Sequence, residues 1–244
     1  MSAWLHHTST QPDYPRLMLS LKMNGYDKLS LMATKDLGYF EPDIVRRPTW
    51  PKVLASRLAF PLLCLLSREQ SLKLGLIPID DERVIQAMKE AKGRVLDIGC
   101  GANNFVRSYG NGTGVDIVDW KGCDLVIKDA AKLPFKDGEF DTVSYIACLN
   151  HIPNRDDSVK EAYRVTKNGG KVIVTMITPR MGKFIHWLRF RNDPDHQERC
   201  IDHDHELMGM SPSHVKKIMT VAGFKNVKRR RFVFGLNSIY TATK

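Results

Sequence analysis

The sequence predicts an α/β fold with a mostly parallel sheet, and three observations predict it. Short apolar, β-branched runs alternate with helical patterns from Arg94 onward. Glycines cluster directly after the first of these runs, at Gly99 and Gly101. Two further strand-like runs close the chain, separated by Gly235-Leu236-Asn237. A β-α-β-α order implies parallel neighbours joined by right-handed crossovers, whereas so short a connection implies a hairpin. The expectation is a seven-stranded, mostly parallel sheet with a C-terminal antiparallel hairpin, behind an N-terminal helical cap.

Residues 1–50 read as an irregular arm punctuated by Pro12, Pro15, Pro42 and Pro48. Across 52–76, Val53, Leu54, Leu58, Leu62, Leu65 and Leu66 follow the helical period, and Pro61 is expected to kink or divide that helix. Gly75 and Pro78 break the chain, and Asp80-Asp81 start a helix running to about Ala91. Residues 1–90 are thus read as arm and cap, and 91–244 as the main domain, with an insertion at 178–210. Within the domain, strands are expected at 94–98, 112–116, 125–127, 140–146 and 171–177. Helices are expected at 103–109 and 158–166, the second stopped by Asn168-Gly169-Gly170, where glycine takes a left-handed cap. A helix at 212–222 and strands at 226–234 and 238–243 complete the chain.

Composition narrows the class. The 244 residues are 43% hydrophobic, enough for a substantial core. The five cysteines form no CxxC pair, which argues against a disulfide framework or zinc ribbon and for a reducing, cytoplasmic setting. The N-terminus has no basic-then-apolar secretory pattern, and the apolar run at 53–66 is too short to span a bilayer. Of the net charge of +10, most lies in residues 176–244, with 13 basic against 6 acidic side chains. Such a patch attracts an anionic partner through its summed field, and equally reads as a solvated basic face.

The motif with chemical content is Asp97-Ile98-Gly99-Cys100-Gly101, at a strand-to-helix turn. Glycines there let a ligand approach the backbone at the carboxyl edge of the sheet. A dinucleotide fingerprint needs a third glycine where Asn104 stands, and it brings a pyrophosphate to the helix start. Asp97 would repel that pyrophosphate, but it would favour the ammonium of a methionine moiety beside a sulfonium. Asp116, 19 positions on, ends the second strand and suits the two ribose hydroxyls. Asp129-Ala130 follows the third strand, where a carboxylate suits the adenine amine. Each aspartate alone also fits a cap or turn; all three at strand ends favour the ligand reading.

These segments resemble the class I S-adenosylmethionine-dependent methyltransferases, in particular the methyltransferase 11 group. The resemblance is carried by VLDIGCG (95–101), GVDI (114–117), DAAKLPFKDGEFDTV (129–143), LNHIPN (149–154) and EAYRVTKNGGKVIV (161–174). It implies a Rossmann-like fold and S-adenosylmethionine as cofactor. Asp97, Gly99 and Gly101 would contact the methionine part, Asp116 the ribose and Asp129 the adenine, with Ile117, Ala130 and Ala147 as further cofactor contacts. Asn103 departs from the small residue common at its position, which leaves the loop geometry open.

An oxygen acceptor needs a base. His151, just beyond the fourth strand, is the first candidate and His186, in the insertion, the second; His151 also fits a cap of its own turn. His203-Asp204-His205-Glu206 could hold a metal, but no third ligand stands at a recognisable spacing, so a solvated lid loop is the preferred reading. The acceptor is read as a small, medium or lipid-linked organic molecule, anionic ones included, methylated on oxygen. The apolar run around 55–66 fits either a membrane-surface contact or a helix packed over the site. RNA is a rival acceptor because of Arg229-Arg230-Arg231. The run Ile146–His151 nevertheless lacks the Asn/Asp-Pro-Pro-aromatic motif of enzymes that methylate base amines. A non-catalytic, cofactor-binding protein is the third reading.

Overall fold

The computed structural model describes residues 49–59, 63, 66, 68–120, 122–189 and 207–244. The arm at 1–48, Pro61, Leu62, Leu65 and the His/Asp-rich stretch at 190–206 lie outside the described residues. Seven strands form one sheet: β1 (Val95–Ile98), β2 (Gly112–Asp116), β3 (Leu125–Val126), β4 (Phe140–Ile146), β5 (Thr166–Ile177), β6 (Lys225–Phe232) and β7 (Asn237–Thr243). Their order is β3-β2-β1-β4-β5-β7-β6. β1 to β5 run parallel, and β7 pairs antiparallel with both β5 and β6. The chain reverses its direction of progress between β1 and β4, the switch point at which open α/β sheets bind ligands.

The described helices are α1 (Trp50–Leu58), α2 (Arg68–Lys73), α3 (Ile79–Glu90), α4 (Asn104–Tyr109), α5 (Arg155–Val165), α6 (Pro179–Arg189) and α7 (Pro212–Val221). Apolar residues line both faces of the central strands, so helices cover both. On one face Val159, Ala162 and Val165 of α5 and Val215, Ile218 and Met219 of α7 pack with Val143, Tyr145, Val172 and Val174. On the other, Val84 and Ala87 of α3 and Phe105 of α4 pack with Val95, Ile173 and Ile239.

Three local expectations are corrected. Helix α5 starts at Arg155 and stops at Val165, with Thr166 already extended. Gly169 is left-handed (φ 75°) as expected, but it lies inside the irregular start of β5 instead of capping the helix. Asn237 belongs to β7 and not to the turn, because it is buried and paired with Ile177. The turn is Val233–Leu236, with Val233, Phe234 and Gly235 all at positive φ. Leu54 and Leu58, placed in a helix by their apolar period, do lie on a helix, α1, and face solvent there.

One departure from the family pattern explains itself. Asn103 is fully buried and left-handed (φ 62°) at the start of α4. Its amide donates to the Gly122 carbonyl (3.1 Å) and to Asp124 Oδ2 (2.8 Å), which also accepts from the Gly114 N–H (2.7 Å). A Cβ on Gly114 would lie 2.0 Å from Asn103 Oδ1. The asparagine fits because β2 has a glycine opposite it.

Gly114→Ala is therefore expected to cost about 2 kcal/mol of stability, within the usual range for overpacking. The same change should cost much less in an Asn103→Ala background, measured by urea unfolding. Equal costs in both backgrounds would contradict the contact.

Candidate active site

β1 ends one residue before Gly99, and the loop that follows hooks back on β2. The Gly99 and Cys100 N–H groups both donate to the Val115 carbonyl, at 2.8 and 3.1 Å. Gly99 (φ 72°) has no room for a side chain, since a Cβ would stand 2.7 Å from Cys148 Cβ. Gly101 (φ 52°) is the opposite case: a Cβ there would meet nothing within 4 Å, so the backbone borders open space. Its N–H donates to Asp116 Oδ2 (2.9 Å), while Asp116 Oδ1 accepts from the Val118 N–H (3.2 Å).

The open space is a cleft of about 700 Å³ at the carboxyl ends of β1, β2, β4 and β5. Asp97, Gly99, Gly101, Asp116, Ile117, Asp129, Ala130, Ala147 and His151 all line it, so nine of the ten residues singled out in the sequence meet in one cavity. The tenth, His186, falls on α6, in a part of that helix whose side chains lie outside the described residues.

Asp97 is the most constrained group. It is 2% exposed and accepts a hydrogen bond from Ser144 Oγ of β4 (2.7 Å), its register partner. Burial pushes its carboxyl up to about 7; the Ser144 bond opposes the shift and the neighbouring Asp116 adds to it. Cys100 adds no further charge, because burial and the nearby carboxylates push its thiol up strongly. Asp129 behaves differently. Its Oδ1 accepts from Asn154 Nδ2 and from the Ala131 N–H, both at 2.8 Å, and these bonds hold its carboxyl below the usual range. Both bonds fall on Oδ1, so Oδ2 has no protein donor among the described residues.

The lip after β4 is strained and tethered. Ala147 is left-handed (φ 56°), and its N–H donates to Thr175 Oγ1 (2.9 Å). Cys148 Sγ donates to the Ile98 carbonyl (2.8 Å). Asn150, missed in the sequence, ties the lip to the far end of the insertion: its side-chain amide donates to the Leu207 carbonyl (2.9 Å) and its backbone carbonyl accepts the Leu207 N–H (3.1 Å). The same amide lies 3.0 Å from His151 Nε2, which makes Nε2 the acceptor and puts the ring proton on Nδ1.

Helix α3 also reaches the cleft, through Asp80, Arg83 and Val84. Arg83 Nη1 pairs with Asp80 Oδ1 (2.6 Å), but Arg83 Nε is buried without a partner, as is Asn104 Oδ1. Two cleft-lining residues thus hold a buried donor and a buried acceptor that the described residues leave unpaired. Sequence reading took α3 for a cap helix, and nothing in its spacing marks Arg83.

Comparison with known proteins fits this geometry. A methyltransferase-domain family model matches residues 96–174. Over 161 residues the chain is 30% identical to an uncharacterized protein of Methanocaldococcus jannaschii, covering 62% of this chain and 74% of that one. The chain belongs to the class I S-adenosylmethionine-dependent methyltransferases. S-adenosylmethionine is accordingly its cofactor. It is also similar to the ubiquinone/menaquinone biosynthesis C-methyltransferase of Burkholderia mallei, 26% identical over 196 residues, 66% of this chain and 79% of that one. A SAM-dependent methyltransferase of Thermotoga maritima shares the fold, with a TM-score of 0.53 at 21% identity over 67% of this chain and 88% of that one. Among the described residues, no helix of this methyltransferase is long and apolar enough to cross a membrane. Nor do the described residues gather three His, Cys, Asp or Glu that could hold a metal.

The buried Asp97 predicts a pH signature in the ligand-free methyltransferase. Between about pH 4 and 7 the folded protein keeps a proton on Asp97 that the unfolded chain has released, so raising pH across that window destabilises the fold. Asp97→Asn should remove this component. From pH 5 to pH 8 the variant should gain about 2–3 kcal/mol relative to wild type in urea unfolding. An identical pH dependence in both proteins would refute the buried carboxyl.

Proposed function

We propose that this methyltransferase acts on a small or medium organic acceptor with an apolar body and an acidic O–H, and that the methyl goes to oxygen. The carrying observation is the division of the cleft. One end is walled by Asp97, Asp116 and Asp129, and the other by Ile152, Pro153, Met176, Ile177 and Met208, with Asn150 and His151 as its polar groups.

The carboxylate end fits the cofactor. A buried Asp97 beside Asp116 favours a cationic neighbour, and the open backbone at Gly101 leaves room for the methionine part close to Gly99. Arg83 Nε is the donor for the methionine carboxylate, and Asn104 Oδ1 an acceptor for its ammonium. Asp116 takes the ribose hydroxyls, Asp129 Oδ2 the adenine amine, and Ile117, Ala130 and Ala147 flank the base. When bound, the cofactor supplies a methyl group on a positively charged sulfur, an electrophile that needs no acid.

What the protein must add is position and a place for the acceptor's proton. His151 Nε2 serves as that place: the acceptor O–H replaces the Asn150 amide there, and the proton transfers to Nε2. His186 is the second candidate base. Asn150, through its bonds to Leu207, fixes the lip that carries the ring, so it acts as a positioning residue.

A second reading has a specific support. Deprotonated phenols and enols are nucleophilic at carbon as well as oxygen, and the Burkholderia relative is named a C-methyltransferase. The same base serves both outcomes, and the orientation of the acceptor decides between them.

Labelled S-adenosylmethionine offered with a panel of phenols and enols tests the reading. Turnover should fall about 100-fold in His151→Ala, with affinity for S-adenosylhomocysteine unchanged. Arg83→Leu should instead weaken that affinity about tenfold, as expected for a lost charged hydrogen bond. Proton spectra of the product distinguish a methoxy from a ring methyl. Full turnover in His151→Ala would remove the histidine from the mechanism, and no turnover with any acceptor would favour a cofactor-binding protein without catalysis.

A further inference from the structure

The turn that carries Asp129 is held by one helix at two points. Between β3 and β4, the Lys132 N–H closes a single turn on the Asp129 carbonyl (3.1 Å). Asp129 and Ala130 line the cleft, while Ala130 and Leu133 are also buried in the core. Asn154 stands directly ahead of α5, where a capping side chain would bond the helix, yet it makes no such bond. Its amide goes to Asp129 Oδ1 instead (2.8 Å). Further along α5, Glu161 Oε1 accepts the Leu133 N–H (2.8 Å).

Glu161 is in turn held by Arg164, three residues on along the same face of the helix. Arg164 Nε donates to Glu161 Oε2 (2.9 Å), and Nη2 reaches Glu161 Oε1 (2.7 Å), the Phe135 carbonyl (2.8 Å) and the Leu133 carbonyl (3.2 Å). Nη1 pairs with Asp137, and the Arg164 backbone carbonyl accepts the Gly138 N–H (2.9 Å). One arginine thus gathers the chain from Leu133 to Gly138 onto α5. Neither Glu161 nor Arg164 is among the residues that line the cleft, so any effect of theirs on a ligand passes through the turn.

We propose that Glu161 and Arg164 are positioning residues that set which purine base the cofactor site accepts. The inference deepens the reading that Asp129 Oδ2 takes the adenine amine, and it rests on that reading. With Oδ1 occupied by Asn154 and Ala131, the place of Oδ2 follows from where the turn stands, and the turn stands between Asn154 and Glu161. A hydrogen bond is lost over a displacement of about 1 Å. A carboxylate accepts from an amine and repels an oxygen, so a base with an oxygen in place of the amine is rejected while Oδ2 stays in reach. Releasing Leu133 lets the turn back away, which weakens the adenine contact and leaves the rest of the ligand's contacts intact.

The test is calorimetric titration of S-adenosylhomocysteine and of S-inosylhomocysteine, in which an oxygen replaces the adenine amine. Wild type should prefer the adenine form by roughly 10- to 100-fold, the span of one hydrogen bond to a charged group. Glu161→Ala and Arg164→Met should each lose about tenfold of that preference. The loss should come from the adenine form alone, at unchanged affinity for the inosine form, which also shows that the variants are folded. Glu161→Gln keeps an acceptor for Leu133 and should retain most of the preference. Wild-type preference in both Glu161→Ala and Arg164→Met would overturn the proposal. So would equal weakening of both ligands, which would assign the pair to the fold alone. Asp129→Asn separates the underlying reading: it keeps Oδ1 for Ala131 and Asn154, puts an amino group in place of Oδ2, and should favour the inosine form. Adenine preference retained in Asp129→Asn would strike the adenine reading and the proposal with it. A reversed preference there, with intact preference in the Glu161 and Arg164 variants, would strike the positioning alone.

Discussion

A single buried carboxylate organises the carboxyl edge of this methyltransferase. Asp97 sits at the centre of the sheet, held by Ser144 across the β1–β4 pair and close enough to Asp116 for each charge to oppose the other. Burial raises its carboxyl to about 7, so it is only partly charged near neutral pH, and a ligand with a positive charge favours the charged form. The neighbouring loops are arranged to leave room for such a ligand.

That arrangement depends on backbone as much as on side chains. Gly99 yields its side-chain space to Cys148, so the β1 and β4 loops touch. Asn103 takes a left-handed turn and binds Asp124, with Gly114 making way for it. The Gly101 N–H then reaches Asp116 across the gap between β1 and β2. Each contact removes freedom from a loop that must present groups to a ligand within a fraction of an ångström, as pre-organised sites require. On the acceptor side Asn150 does the corresponding work, joining the lip after β4 to Leu207, where the insertion returns to the described chain.

Much of this was legible in the sequence, because the signals were local. Strands β1, β2 and β4 announce themselves as apolar runs, and Asp97, Asp116 and Asp129 stand at or shortly after the ends of strands, so topology alone gathers them at one edge. The misreadings were of another kind. The Gly169-Gly170 pair looks like a helix stop, yet the helix ends earlier because β4 pairs with the chain from Thr166 onward. The leucines of α1 marked a helix correctly, but periodicity does not say which way a face points, so its exposure was not legible. Arg83 reaches the cleft from a helix before the main domain, and Asn150 acts through Leu207, 57 residues on, so no spacing rule marks either. The acceptor is the least legible feature of all, since it depends on the shape of an apolar wall assembled from β5, the lip and Met208.

The measurement that tests the account most directly is calorimetric titration of S-adenosylhomocysteine into the wild-type chain and into Asp116→Ala. The account predicts a Kd on the order of micromolar for wild type, and binding roughly 100-fold weaker in the variant, from the loss of a carboxylate that bonds the ribose and holds the Gly101 loop. Equal affinity in the two proteins, or no binding to a folded wild type, would contradict it.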